Sequence, residues 1–119
     1  MGLDSFALID EINHDDNTSY IESSTTAQKT RCTYANTGAE TGIIGVSINT
    51  TAALDTGTTA ETYRSLIHEG TTETAGATIT IDASATWKQS TDLYETNPDT
   101  GLPWTAAEID GISGGVEYV

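Results

Sequence analysis

Thr41-Gly42-Ile43-Ile44-Gly45-Val46-Ser47-Ile48-Asn49-Thr50-Thr51 alternates more clearly than any other stretch of the chain. Ile44, Val46 and Ile48 share one face, and Ile43, Gly45 and Ser47 share the other. A period of two sets bulky side chains on one side of a pleated strand, where a helix would need them three or four apart. The same period recurs on both sides of this segment. Gln28 to Ala35 places Lys29, Arg31 and Thr33 opposite Thr30, Cys32 and Tyr34, which predicts that Cys32 and Tyr34 point inward. Thr62 to His68 sets Tyr63, Ser65 and Ile67 against Arg64, Leu66 and His68, and either set suits a core. Thr78 to Asp82 carries Ile79 and Ile81 on one face. Ser19 to Ser23, Trp87 to Tyr94 and Val116 to Val119 are further short strands, and Phe6 to Ile12 is an apolar opening segment.

Turn chemistry separates these runs. Asn13-His14-Asp15-Asp16-Asn17-Thr18, Leu54 to Gly57, Glu69-Gly70-Thr71-Thr72 and Asn97-Pro98-Asp99-Thr100-Gly101 are rich in residues that favour Asx-type turns or a positive φ. One helix is expected after Pro103-Trp104. Thr105 is its N-cap and Glu108 completes a capping box. Ala106, Ala107, Ile109 and Ile112 form its body, and Gly114-Gly115 is its stop. The pattern predicts a single all-β domain over residues 1–119. Its architecture is an antiparallel β-sandwich, jelly-roll-like, of about seven or eight short strands with one short helix near the C-terminus.

Composition agrees with that class. The 119 residues suffice for one domain and a real core. Threonine occurs 23 times, and its branched side chain suits a half-wet pleated surface. Lys plus Arg is 4 against 18 Asp plus Glu, a net charge of −14. That charge opposes binding to nucleic acid, which needs a basic footprint, and docking on anionic lipid. No apolar run approaches the ~20 residues of a membrane helix. The opening Met1-Gly2-Leu3-Asp4-Ser5-Phe6 has neither a signal peptide's basic start and apolar run nor the myristoylation pattern. Cys32 is alone, which fits a protein made in a reducing cytoplasm.

Catalytic and metal chemistry finds little support. Nine serines and two histidines, His14 and His68, occur without a nucleophile-elbow motif. Asp10-Glu11-Ile12-Asn13-His14-Asp15-Asp16-Asn17 is dense in oxygen ligands, yet its spacing is not that of an EF-hand, and a polar turn explains it. One Cys and two distant His give no zinc pair, and no phosphate loop is present. The aromatic residues Tyr20, Tyr34, Tyr63, Tyr94, Tyr118, Trp87 and Trp104 could stack on sugars, but a chain with one Phe needs them in its core. No catalytic, cofactor-binding or metal residue is assigned, and an enzyme is not expected.

Two segments carry a resemblance. One runs Leu8-Ile9-Asp10-Glu11-Ile12-Asn13-His14-Asp15-Asp16-Asn17-Thr18-Ser19-Tyr20-Ile21. The other begins Leu93-Tyr94-Glu95-Thr96-Asn97-Pro98-Asp99-Thr100-Gly101-Leu102-Pro103-Trp104-Thr105, continues to Ile112, and closes with Gly114-Gly115-Val116-Glu117-Tyr118-Val119. Together they resemble a loosely defined group of small β-rich structural proteins of tailed bacteriophages. The resemblance covers about a third of the chain and spans both ends in order; the middle matches only as a strand pattern. It implies a virion component without cofactor or catalytic residues; beside it, the residues themselves read as a turn with Trp104 plugging one end of the sandwich. It also implies that a first strand is short or contributed by a neighbour.

Two roles follow from that reading. The first is a capsid decoration or cement protein on the head exterior, assembled in the host cytoplasm and partnered by the major capsid protein or by tail proteins. Strong negative charge on an outward face keeps particles apart. Such a protein is expected to be a homo-oligomer, with a trimer at three-fold positions as one arrangement. Lys29 and Arg31 on one strand face offer a local contact point. The alternative is a tail- or head-fibre module that binds host-surface glycans or a receptor through loop-borne aromatics.

Overall fold

In the computed structural model of this protein, residues 25–34, 36, 38, 41–54, 59–82 and 87–119 are described. They form six strands and one helix. The strands are β1 (Lys29–Thr33), β2 (Val46–Ala52), β3 (Glu61–Glu69), β4 (Thr72–Ile81), β5 (Lys88–Tyr94) and β6 (Ile112–Tyr118), with α1 (Ala106–Gly111) between β5 and β6. All strand pairs are antiparallel. β1, β6, β3 and β4 make a four-stranded sheet in that order, and β2 pairs with β5 in a second sheet. The all-β sandwich expected from alternation is therefore present, with six strands among the described residues.

Strand β3 settles which face is inside. Tyr63, Ser65 and Ile67 turn toward the small sheet, while Arg64, Leu66 and His68 lie on the outer face. The layer between the sheets is graded along the strands. At one end Ile48, Ile67, Trp104 and Ile112 form the apolar core, with Ile43, Val46, Tyr94 and Ile109 packed against it. At the other end the contact is polar: the Tyr63 hydroxyl of the large sheet lies 3.2 Å from the Ser90 hydroxyl of the small one, which is itself 2.7 Å from Thr50 across the β2–β5 pair. Buried hydroxyls must find partners, and here Thr50 and Ser90 serve each other within the small sheet while Tyr63 joins them from the large one.

Strand β4 is longer than alternation suggested. Gly70, at φ 56°, turns β3 back into it. The register shifts between Arg64 and Leu66, so that Gly76 and Ala77 together face Ser65. This is a β-bulge, and one extra residue reverses which side chains face inward. Thr72, Thr74 and Gly76 are the half-buried positions before it; Ile79 and Ile81 are the inward ones after it.

Three expectations are corrected. The strand expected over Thr41 to Thr51 begins only at Val46, and Ile44 is 91% exposed. Gly42, at φ 73°, breaks the extended run, and Ile43 packs on the core in its place. Gly114-Gly115 does not stop the helix, which ends at Gly111 with Ile112 as its C-cap. Both glycines lie inside β6, which starts at Ile112 and not at Val116. Their lack of side chains is used there: a Cβ on Gly114 would meet the Tyr34 hydroxyl, and one on Gly115 would meet the Thr30 carbonyl of β1. The expected segments Phe6–Ile12 and Ser19–Ser23 lie outside the described residues, as does the acidic run from Asp10 to Asn17.

Candidate functional site

The segment between β5 and β6 is built as the sequence predicts. The fully buried Asn97 accepts from the Asp99 N–H at 2.8 Å through its side chain, and its carbonyl accepts from Gly101 N–H at 2.7 Å. Gly101 takes φ 72°, which a side-chain-bearing residue disfavours. Trp104, 5% exposed, fills the apolar end of the sandwich and donates from Nε1 to the Tyr94 carbonyl at 2.9 Å. Thr105 and Glu108 form the capping box reciprocally. These hydrogen bonds from Thr105 hold the Glu108 carboxyl below the usual range.

Two groups of polar side chains lie on either side of β3. On the inner side, Ser65 Oγ donates to Asp92 Oδ2 at 2.5 Å, and the Ala77 N–H donates to Asp92 Oδ1 at 3.1 Å. The carboxylate of β5 thus bridges to the bulge of the other sheet. A Cβ on Gly76 would run into that carboxylate. On the outer side, Lys29, Arg31 and Arg64 share one face with His68, Glu73 and Glu117. Arg64 Nε donates to Glu117 Oε2 at 2.7 Å. Lys29 hydrogen-bonds to Glu73 across the whole sheet, from one edge strand to the other. Sheet twist brings opposite corners of the face together, and the buried Leu66 lies at the centre of that face. The Glu73 hydrogen bond raises the Lys29 pKa, and the same bond lowers that of Glu73.

Of the cations expected to mark a contact point, Lys29 is thus held within the molecule, and Arg31 is left without an ion pair among the described residues. Ser65 and Asp92 cannot recruit His68, because His68 stands on the opposite face of the same strand. His14 lies outside the described residues. Burial pushes the Cys32 thiol up, away from the thiolate a nucleophile requires. Among the described residues no cluster of three or more His, Cys, Asp or Glu could hold a metal ion. No helix among them is long and apolar enough to cross a membrane.

Trp104 and Tyr63 are buried, as core aromatics should be, whereas Tyr34 is 53% exposed. Tyr34 forms one wall of an open groove of about 400 Å³, with Ile109 and Ile112 behind it and Val46, Ser47, Ile48 and Asn49 of β2 opposite. Burial of its ring pushes the Tyr34 hydroxyl up, so it is neutral at neutral pH, like every other residue of that lining. The sequence gives no sign of this groove, because it depends on which strands the small sheet covers. A second cleft, among Ile67, Glu69, Thr72, Pro98, Asp99 and Trp104, closes without space for a water.

Compared with known proteins, the chain matches no family model, no curated protein and no solved structure at a significant level.

Proposed function

We propose that this protein is a non-enzymatic structural component of a tailed-bacteriophage particle, seated on the outside of the head as a decoration protein. The observation that carries the reading is the segment from Leu93 to Ile112, the described part of the resemblance. Its residues serve architecture: Asn97 builds the turn, Trp104 joins the sheets and Thr105 starts the helix. A marker segment spent on packing suits a scaffold piece. The net charge of −14 suits an outward face.

Electron microscopy of gold-labelled antibody on particles of the phage that encodes the chain tests this. Dense labelling over the head is expected. Labelling confined to a tail tip would replace the decoration role with the fibre role, and unlabelled particles beside a labelled host lysate would remove the virion assignment.

A further inference from the structure

Strand β1 is an edge of the large sheet: among the described residues it pairs with β6 alone. The Gln28 carbonyl accepts from the Tyr118 N–H at 3.1 Å, on the β6 side. Successive residues of an antiparallel strand turn their N–H and C=O to opposite sides, so Lys29, Arg31 and Thr33 direct theirs to the free side. The chain enters this edge strand through a turn. The Gln28 N–H donates to the Thr25 carbonyl at 3.1 Å, which closes a four-residue turn. Ala27, its third residue, takes φ 66° and is the one non-glycine residue at positive φ among the described residues. Such a conformation persists only where its surroundings hold it. Here the Ala27 N–H is fixed to the Tyr118 carbonyl at 2.7 Å. The chain therefore doubles back at Thr25, and with β6 on one side of β1 the free edge lies on the other.

We propose that the edge of β1 is taken by the segment Ser19–Ser23 of the same chain, which docks antiparallel to β1 through this turn. The closing pair Thr25 and Gln28 sets the register: Ser23 opposes Thr30, Glu22 opposes Arg31, Ile21 opposes Cys32 and Tyr20 opposes Thr33. Two unrelated features fit it. Glu22 falls on the outer face opposite Arg31, which has no ion pair among the described residues. Ile21 falls on the inner face beside the half-buried Cys32. A slip of one residue would turn Ile21 to solvent and Glu22 inward. Charge agrees as well. β1 carries Lys29 and Arg31, two of the chain's four Lys and Arg, while residues 1–24 hold none and bring Asp4, Asp10, Glu11, Asp15, Asp16 and Glu22. A second copy is the poorer occupant. It brings another −14, whereas the turn already returns this chain to the edge at high effective concentration. The inference stands apart from the particle role, since it needs only the turn and the edge.

The test uses the full chain carrying Ile21→Cys. In the proposed register position 21 and Cys32 form a non-hydrogen-bonded pair, whose Cα atoms lie about 4.5 Å apart. A disulfide spans about 4.4–6.8 Å between Cα atoms. In a glutathione redox buffer this variant should close an intramolecular disulfide with Cys32, read as a monomer on a non-reducing gel and as the loss of two hydrogens by intact mass. Glu22→Cys, on the opposite face, should couple about tenfold more slowly or less. Circular dichroism shows whether each variant keeps the fold. In the unaltered chain, amide exchange should find Arg31 and Thr33 protected, and this reading needs no variant. Equal coupling from positions 21 and 22, no coupling from either, or fast exchange at Arg31 and Thr33 overturns the proposal. So does a disulfide-linked dimer as the main product of Ile21→Cys, which would make the occupant a second copy.

Discussion

Asp92 is the residue on which the two sheets agree. Its carboxylate takes the Ser65 hydroxyl of β3 and the Ala77 amide of β4, and only a residue without a side chain fits at position 76 beside it. Gly76→Ala forces the carboxylate out of that position. Overpacking of this kind costs about 1–3 kcal/mol, which urea denaturation would read as a lower midpoint at unchanged slope. In an Asp92→Ala background the same substitution should cost less, because the carboxylate is gone and the Ser65 hydroxyl, the other group a Cβ would meet, is freed to rotate away; equal costs in both backgrounds would separate Gly76 from Asp92. None of this was legible in the sequence. Ser65, Gly76 and Asp92 sit on three strands, and their meeting depends on sheet packing and on a bulge that local alternation does not announce.

At the scale of elements, α1 is short and lives on its cap. Thr105→Ala removes the hydroxyl that accepts from the Glu108 N–H at 3.3 Å, and a lost N-cap costs about 1 kcal/mol. A thermal melt should shift downward accordingly; an unchanged melt would show that Trp104 and Ile109 hold the segment without the cap. This helix was readable because its signals are local: a cap, a partner three residues on, and an apolar stripe. β3 was readable by alternation, and β5 as a short strand candidate. β4 was half readable, since Thr72 to Ala77 carries threonine, alanine and glycine where a strand is usually read from bulk. The bulge then flips its phase, which breaks the pattern from Thr72 to Ile81 into two shorter ones. The start of β6 was misread because Gly114-Gly115 looks like a helix stop, whereas its glycines admit Tyr34 and the β1 backbone. The groove was not readable at all: its walls come from β2, the end of β1, α1 and β6, and only strand order places them together.

For the whole molecule, the titrating groups predict an alkaline edge to stability. Lys29 is raised by its hydrogen bond to Glu73, and Tyr118 by its hydrogen bond to Glu61. Burial raises Tyr94, Tyr34 and Cys32. A group raised on folding stabilises fully below its unfolded pKa, here 9.0 for the thiol, 10.0 for the phenols and 10.5 for the lysine. That contribution fades as pH climbs through the folded value. Glu73 and Glu108 are lowered, so their contributions hold above 4.5 and fade in acid. Melting temperature should therefore fall above about pH 9, and Tyr118→Phe, which leaves no phenol to ionise at that position, should flatten the fall. A melting temperature that stays level to pH 11 would contradict the prediction.

The order β1-β6-β3-β4 has a consequence for synthesis. β6, which follows the other described strands in the chain, lies between β1, which precedes them, and β3. A nascent chain can form the β3–β4 hairpin early, but β1, whose described sheet neighbour is β6, waits until Ile112 to Tyr118 emerge. Such long-range closure is slow.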